Sequence, residues 1–450
     1  MQTRICALAL AVAVAGPSQA AIENLKDFNP AASVILDGVY YHDNVKGDGL
    51  EIAEEHDSVL HGHDHGGDDH DHEHGGLDKG FNLRETEVTF SGGVDPYFDA
   101  WFTAAITDGE IEVEEAWVRT QNLPAGLQVK AGKFLSAIGY ENEKHLHAWE
   151  FADQNLAQLS LFGDHGLAST GAQLTWLAPT LNFLQFGVEV AQGDELEKFG
   201  TALDAYDELA EEIADEFPGF YDPDGDGDLT AQELGLDEAN GPELTVGFVR
   251  FGPDLGTDHA LQLGASIGHH SRMQSFHEEE DVGEAFVAEG DGTVYGLHAV
   301  YKRFATGAYG KGGLTLQAEY FSFSSEQDAT YHTDVDELGL PLEMEQDAAY
   351  VQAVYGFAPR WSFGLRSAAA GIGAEFTEGR EKDELRISRQ HSAALTFRPS
   401  EFSLLRLQGN RNDIGLEDRR KGFNQIMLQY NISLGAHGAQ RLRVAQVGDV

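Results

Sequence analysis

The stretch Asn424 to Leu434, NQIMLQYNISL, decides the fold. Ile426, Leu428, Tyr430, Ile432 and Leu434 fall on one side, while Gln425, Gln429, Asn431 and Ser433 fall on the other. Side chains two apart lie on the same face of a strand, so the segment reads as a strand with one oily and one wet face. The pattern recurs in Leu314 to Phe323, where Leu314, Leu316, Ala318 and Tyr320 oppose Thr315, Gln317 and Glu319. It recurs again in Asn182 to Val190, where Leu184, Phe186, Val188 and Val190 oppose Gln185, Gly187 and Glu189. A soluble β-sandwich is the structural alternative, and the spacing between strands separates the two.

Sixteen such segments are predicted, at 33–43, 80–92, 97–107, 111–120, 127–135, 168–177, 181–191, 243–251, 258–268, 291–303, 312–323, 346–357, 361–371, 387–398, 403–411 and 424–435. Short links rich in turn residues, such as Gly93-Val94-Asp95-Pro96 and Ala178-Pro179-Thr180, alternate with long ones at 44–79, 136–167, 192–242, 269–290, 324–345, 372–386 and 412–423. The link near Asp108 to Glu110 is the exception. Short turns on one side and long loops on the other mark an outer-membrane barrel. The expectation is therefore an all-β, transmembrane antiparallel barrel of about sixteen strands over 33–436, with long extracellular loops and both termini periplasmic. Its partner would be the lipid of the Gram-negative outer membrane. A barrel of that size holds a water-filled lumen. Lys130 and Arg406 are candidate basic residues of the lining.

The ends of the chain fit export. Arg4, the apolar run Ile5 to Ala15 and Ser18-Gln19-Ala20 read as a signal peptide over 1–20. A short periplasmic segment follows at 21–32, and a tail at 437–450. That lead segment is too short for the plug of an energy-coupled receptor, so coupling through TonB is not expected. The only cysteine, Cys6, lies in the signal, which leaves His, Asp and Glu as metal ligands. The formal charge of −47 excludes nucleic acid, whose phosphates need a basic surface. The charge is concentrated: Gln192 to Pro242 carries 17 Asp and Glu against one Lys. Such a potential attracts cations to any passage it surrounds.

Two motifs point to metal. His56 to His74 reads HDSVLHGHDHGGDDHDHEH. His56, His61, His63, His65, His70, His72 and His74, with Asp64, Asp69 and Asp71, offer imidazole and carboxylate ligands to a divalent transition ion. The tract has almost nothing apolar to bury, so its composition needs a reason other than a core. The bland reading is a solvated acidic loop. The second motif, Asp222 to Glu233, fills the ligand positions of a twelve-residue calcium loop. Asp222, Asp224 and Asp226 supply carboxylates, Gly227 the sharp turn, Asp228 a carbonyl, Thr230 a water-mediated contact and Glu233 the bidentate closure. Bound Ca2+ would order the large outward loop. His269-His270 and His277, beside Glu278 to Asp281, are weaker outward candidates. For catalysis there is no GxSxG, no HExxH and no glycine-rich phosphate loop; His391-Ser392 is the single hint, and no enzyme is expected.

Gly109 to Gly139, GEIEVEEAWVRTQNLPAGLQVKAGKFLSAIG, resembles the phosphate-selective porin-like family. HLHAWEFADQ (His145 to Gln154), LFGDHGLASTGAQLTWLAP (Leu161 to Pro179) and NQIMLQYNISLGAHGA (Asn424 to Ala439) are similar to a proteobacterial outer-membrane group often labelled zinc-regulated receptors or porins. The resemblance spans Gly80 to Ala439 and implies a sixteen-stranded, homotrimeric channel linked to zinc supply. It also implies that the loop 136–167 folds inward and narrows the pore. His145, His147 and His165 of that loop, with Glu150, Asp153 and Asp164 nearby, are then candidate ligands of a transient cation site. The alternative is that Trp149 and Phe151 pack on the wall and the histidines only hydrogen-bond. The functional expectation is a channel for divalent metal, with zinc favoured on the resemblance. A general or anion-selective porin and a metal-binding surface protein without a channel role are the competing readings.

Overall fold

The computed structural model describes residues 31–46, 49–50, 52–53, 77–107, 110–164, 166–193, 196, 198–200, 241–279, 284–332, 339–379, 381–384, 386–416 and 419–435. Seventeen strands are present among them: β1 (Ala31–Asp43), β2 (Gly80–Gly93), β3 (Phe98–Thr107), β4 (Glu110–Thr120), β5 (Leu127–Leu135), β6 (Ala168–Leu177), β7 (Phe183–Ala191), β8 (Leu244–Gly252), β9 (His259–Glu279), β10 (Glu284–Arg303), β11 (Leu314–His332), β12 (Pro341–Ala358), β13 (Trp361–Glu378), β14 (Glu381–Glu384), β15 (Ser388–Ser400), β16 (Ser403–Gly415) and β17 (Arg420–Gly435). The four-residue β14 folds back on the end of β13. The other sixteen pair antiparallel, each with its neighbours, and β1 closes the ring by pairing with both β2 and β17. The structure is thus the sixteen-stranded antiparallel barrel that the alternation predicts. Ser33 lies opposite Gly435, and Ala31 opposite Ser91 beside the short turn into β3, so both ends of the described chain lie at the short-turn end. At the seam the ring of Tyr430 lies over Gly38, where a Cβ would fall about 2.1 Å from it; only glycine leaves that space.

The faces are inverted relative to a water-soluble sheet. Ile426, Leu428, Tyr430, Ile432 and Leu434 point outward and are 38–55% exposed, whereas Gln425, Gln429, Asn431 and Ser433 point inward and are buried. An outward apolar band facing lipid and a polar interior satisfy both environments. No helix among the described residues is long and apolar enough to cross a membrane.

The strands on the long-link side run further than the alternation predicts. The links read as loops at 269–290, 324–345, 372–386 and 412–423 are largely strand: Glu279 pairs with Glu284, and Asp328 with Pro341. The cause is a reversal of polarity. In β11 Phe321 and Phe323 turn inward and are buried, while Glu326 turns outward. In β12 Leu342 and Met344 turn inward against outward Glu343 and Glu345. Lower in the same strands the apolar residues face out, as Leu316, Tyr320 and Val351 do. The ladders therefore rise out of the lipid band into water, where the oily face must turn inward.

The segment between β5 and β6 is folded into the lumen. It contains a seven-residue helix, α1 (Leu156–Phe162), capped by Asn155, whose side chain accepts the Gln158 N–H at 3.0 Å, and ended by Gly163 at φ 73°. Leu156, Leu161 and Phe162 are buried in an apolar cluster with Ile138, Phe199, Phe321, Phe323, Met344 and Phe423. Phe162 meets Phe321 edge to face with centroids 5.4 Å apart. Each such side chain contributes about 1.5–3 kcal/mol of burial, which ties the loop to the wall.

Candidate functional site

The inward loop is held by two chemically distinct walls. Its first half is gripped by carboxylates. Glu189 on β7 accepts Ser136 Oγ at 2.6 Å and the Ala137 N–H at 3.0 Å. Glu319 on β11 accepts the N–H groups of Tyr140 and Glu141 at 2.7 and 2.9 Å, and the Tyr350 hydroxyl. Glu143 of the loop pairs with Arg250 on β8 at 2.5 Å. The second half is gripped by arginines and amides. Arg406 on β16 donates to Trp149 O at 3.0 Å, Arg84 on β2 to Ala152 O at 2.5 Å, and Gln408 accepts the Ala152 N–H at 2.7 Å. Asp153 accepts from Arg366, Gln390, Gln408 and Asn410 at 2.5–3.2 Å. Strands β7 and β8 stand across the ring from β15 and β16, so the loop spans the lumen.

Between these walls lies a cluster of acids and histidines. His145 Nε2 is 3.0 Å from Glu115 and its Nδ1 is 3.2 Å from Glu114. His147 Nδ1 is 2.6 Å from Glu87 Oε2, within ion-pair range but out of line for a hydrogen bond. The two imidazoles lie nearly parallel with centroids 6.0 Å apart. One ligand atom each of Glu87, Glu114 and His145 lies within 4.8 Å of the others. Local strand chemistry explains how neighbours in sequence come to share a face. Thr103 pairs with Glu115 and Ala104 with Val113, which leaves Glu114 as the extra residue of a β-bulge. A bulge re-aims one side chain, so both glutamates reach the same imidazole. A second irregularity, between Asp37 and Gly38, brings Arg84 and Glu85 to the lumen side of β2. Burial by itself would lower the pKa of His145; its hydrogen bonds to Glu114 and Glu115 more than reverse this and hold it well above the ordinary histidine value.

Other predicted residues separate. His269 faces outward with its Nδ1 3.1 Å from Thr293 Oγ1, while His270 faces inward and contacts Gly193 O at 3.0 Å. Successive strand residues point oppositely, so this pair cannot converge on one ion. His391 sits on the outer face against Ser367, with Ser392 buried inside. Lys130 lies over the Phe134 ring at 4.0 Å. His165, the tract His56 to His74 with Asp64, Asp69 and Asp71, and the calcium motif Asp222 to Glu233 lie outside the described residues. So do the signal peptide, the 21–30 segment and the tail 436–450. The base of the tract's loop is described: Lys79 pairs with Asp43 at 2.9 Å and donates to Val45 O at 2.8 Å, which clamps the loop's two ends together at the long-hairpin end. Sequence reading found His145 and His147 but missed Glu87, Glu114 and Glu115. The available signal was the doublet Glu114-Glu115 inside an alternating strand, which alternation alone does not permit.

A closed ring with a lipid-facing exterior and a loop-narrowed polar lumen defines a porin-like transmembrane β-barrel. Among solved structures, the outer membrane channel DcaP of Acinetobacter baumannii superposes with a TM-score of 0.51 over 90% of this chain and 96% of that one, at 12% identity. The likeness concerns the fold. The anion-selective porin of Comamonas acidovorans aligns over 91% and 99% of the two chains with a TM-score of 0.46 and 11% identity. No family model matches the chain. The chain belongs to the same family as an uncharacterized protein of Aquifex aeolicus (strain VF5), to which it is 33% identical over 413 residues, 92% of this chain and 80% of that protein.

Proposed function

We propose that the protein is a passive outer-membrane channel that admits divalent metal cations, zinc first. The observation that carries this reading is the acid–histidine cluster Glu87, Glu114, Glu115, His145 and His147, held in the lumen by the inward loop. The outward tract His56 to His74 concentrates metal weakly, and β2, which leaves that loop after Lys79, carries Glu87 into the lumen. The long hairpins face outward, and the short turns and both termini face the periplasm. Passage needs several weak sites, because one tight site would stop flow. Diffusion needs no energy input. Zinc over other transition ions, and assembly as a homotrimer, rest on the resemblance to the zinc-regulated group.

The test is zinc flux into proteoliposomes holding the refolded mature chain, against a variant lacking Glu55 to Gly76. Flux that falls in the variant at micromolar zinc but not at millimolar supports capture feeding a channel. Equal flux at every concentration makes the tract a buffer. A second reading, an anion-selective porin, draws on Arg398, Arg406 and Lys302, whose positive field reaches Glu150 of the inward loop. Arg366 and Arg406 are already bonded to Asp153 and to Trp149 O, which favours a role in fixing the loop. Reversal potentials in a potassium chloride gradient separate the two readings by sign.

A further inference from the structure

We propose that Glu87, Glu114, His145 and His147 form a coordination site for one divalent first-row transition-metal ion in the pore wall; the proposal rests on the cation-channel reading only for the route by which the ion arrives. The donor set is two carboxylates and two imidazoles with no thiol, which suits zinc, cobalt or nickel better than the all-oxygen cages of calcium and magnesium. Ligand atoms of Glu87, Glu114 and His145 lie within 4.8 Å of one another. Tetrahedral bonds of about 2.1 Å place donors about 3.4 Å apart, a contraction that side-chain rotation supplies.

A second observation points independently to a ligand. His147, a residue only 4% exposed, has no partner at all for Nε2, and its Nδ1 meets Glu87 Oε2 at 2.6 Å without the alignment of a hydrogen bond. Buried polar atoms are normally hydrogen-bonded, so a buried imidazole left unsatisfied beside these carboxylates is unusual. With Glu115 beside Glu87 and Glu114, three carboxylates face two imidazoles, and a dication is the complementary charge. His145 is oriented for the task. Glu115 holds its Nε2 at 3.0 Å while Nδ1 turns to Glu114, and a carboxylate on the far nitrogen is the usual support of a metal-bound histidine. Glu114 keeps 20% side-chain exposure, which opens the site to the lumen. The competing arrangement is a plain strut in which His145 and His147 are cations paired with the glutamates.

The experiment uses the full mature chain refolded in detergent, with the seven tract histidines replaced by asparagine and calcium present to occupy the Asp222 to Glu233 motif. Cobalt(II) is the probe. The expected result is a visible absorption band of tetrahedral intensity saturating at one equivalent and abolished by zinc. Glu114→Gln and His147→Gln are each expected to weaken binding at least about tenfold, with heat-modifiable gel mobility verifying the fold. Absence of the band in the parent, or its persistence in Glu114→Gln/His147→Gln, overturns the site. Reversal potentials on the same proteins keep the two ideas apart. Cation preference without a cobalt band sinks the site and leaves the channel reading. Anion preference with a cobalt band sinks the channel reading and leaves the site.

Discussion

Glu114 and Glu115 are neighbours in sequence yet address the two nitrogens of one imidazole, and the bulge at Glu114 makes this possible. The same economy appears at Glu150, which meets Arg398 at 3.7 Å. Burial raises its carboxyl pKa, but the positive field of Arg398, Arg406, Lys144 and Lys302 outweighs this and holds it below the usual glutamate value of 4.5. A depressed folded pKa stabilises the loop at pH above the unfolded value and loses that contribution as pH falls through the folded one. Open-channel noise should therefore rise as pH drops below about 4.5 in the wild type. Glu150→Gln should show the raised noise at neutral pH and a flatter acid response. Identical pH profiles for the two proteins would remove Glu150 from the anchoring. Nothing in the sequence marks Glu150 for this role, since its partners come from strands far along the chain.

At the scale of the element, the inward loop is legible in part. Asn155 before an apolar run and Gly163 after it are ordinary helix signals, and they bound α1. The turn that drops the chain into the lumen depends on Gly139, at φ 70°, where a Cβ would lie 2.4 Å from Glu319 Oε2. Gly139→Ala combines left-handed strain with crowding of the carboxylate that holds Tyr140 and Glu141. It should destabilise the loop by about 1–3 kcal/mol, seen as greater single-channel noise and earlier thermal loss of barrel mobility on gels. Gly373→Ala, at φ 62° with nothing within 4 Å of its Cβ, carries the strain alone and should leave channel noise at the wild-type level. Equal noise in both variants would show that the contact to Glu319 does not matter.

At the scale of the whole molecule, polarity reverses along the barrel wall. The outward band runs through residues such as Leu316, Val351 and Ile426, and above it Phe321, Met344 and Phe423 turn inward. The reversal sets the membrane level, above which the strand ends joined by the long links lie. If Asp222 to Glu233 binds calcium there, calorimetry on the refolded chain should show one calcium site, and Glu233→Gln should weaken it by an order of magnitude or more through loss of the bidentate carboxylate. Unchanged affinity in Glu233→Gln would make the motif an acidic turn. Zinc flux should persist through calcium chelation if the ion only orders the loop.

Strand number, strand order and the facing of side chains in the lipid band, away from the bulges, were determined by the sequence alone, because alternation is local and lipid and water impose opposite demands on the two faces of every strand. Where the alternation reversed sign above the lipid, that local rule ended the strands too early. The cluster in the lumen was decided only by the tertiary structure. His147 reaches Glu87, and Asp153 gathers Arg366, Gln408 and Asn410, across separations that closure of the ring and burial of α1 bring together. No periodicity records such meetings. They follow from where the inward loop finds partners for its buried polar atoms once the barrel has closed.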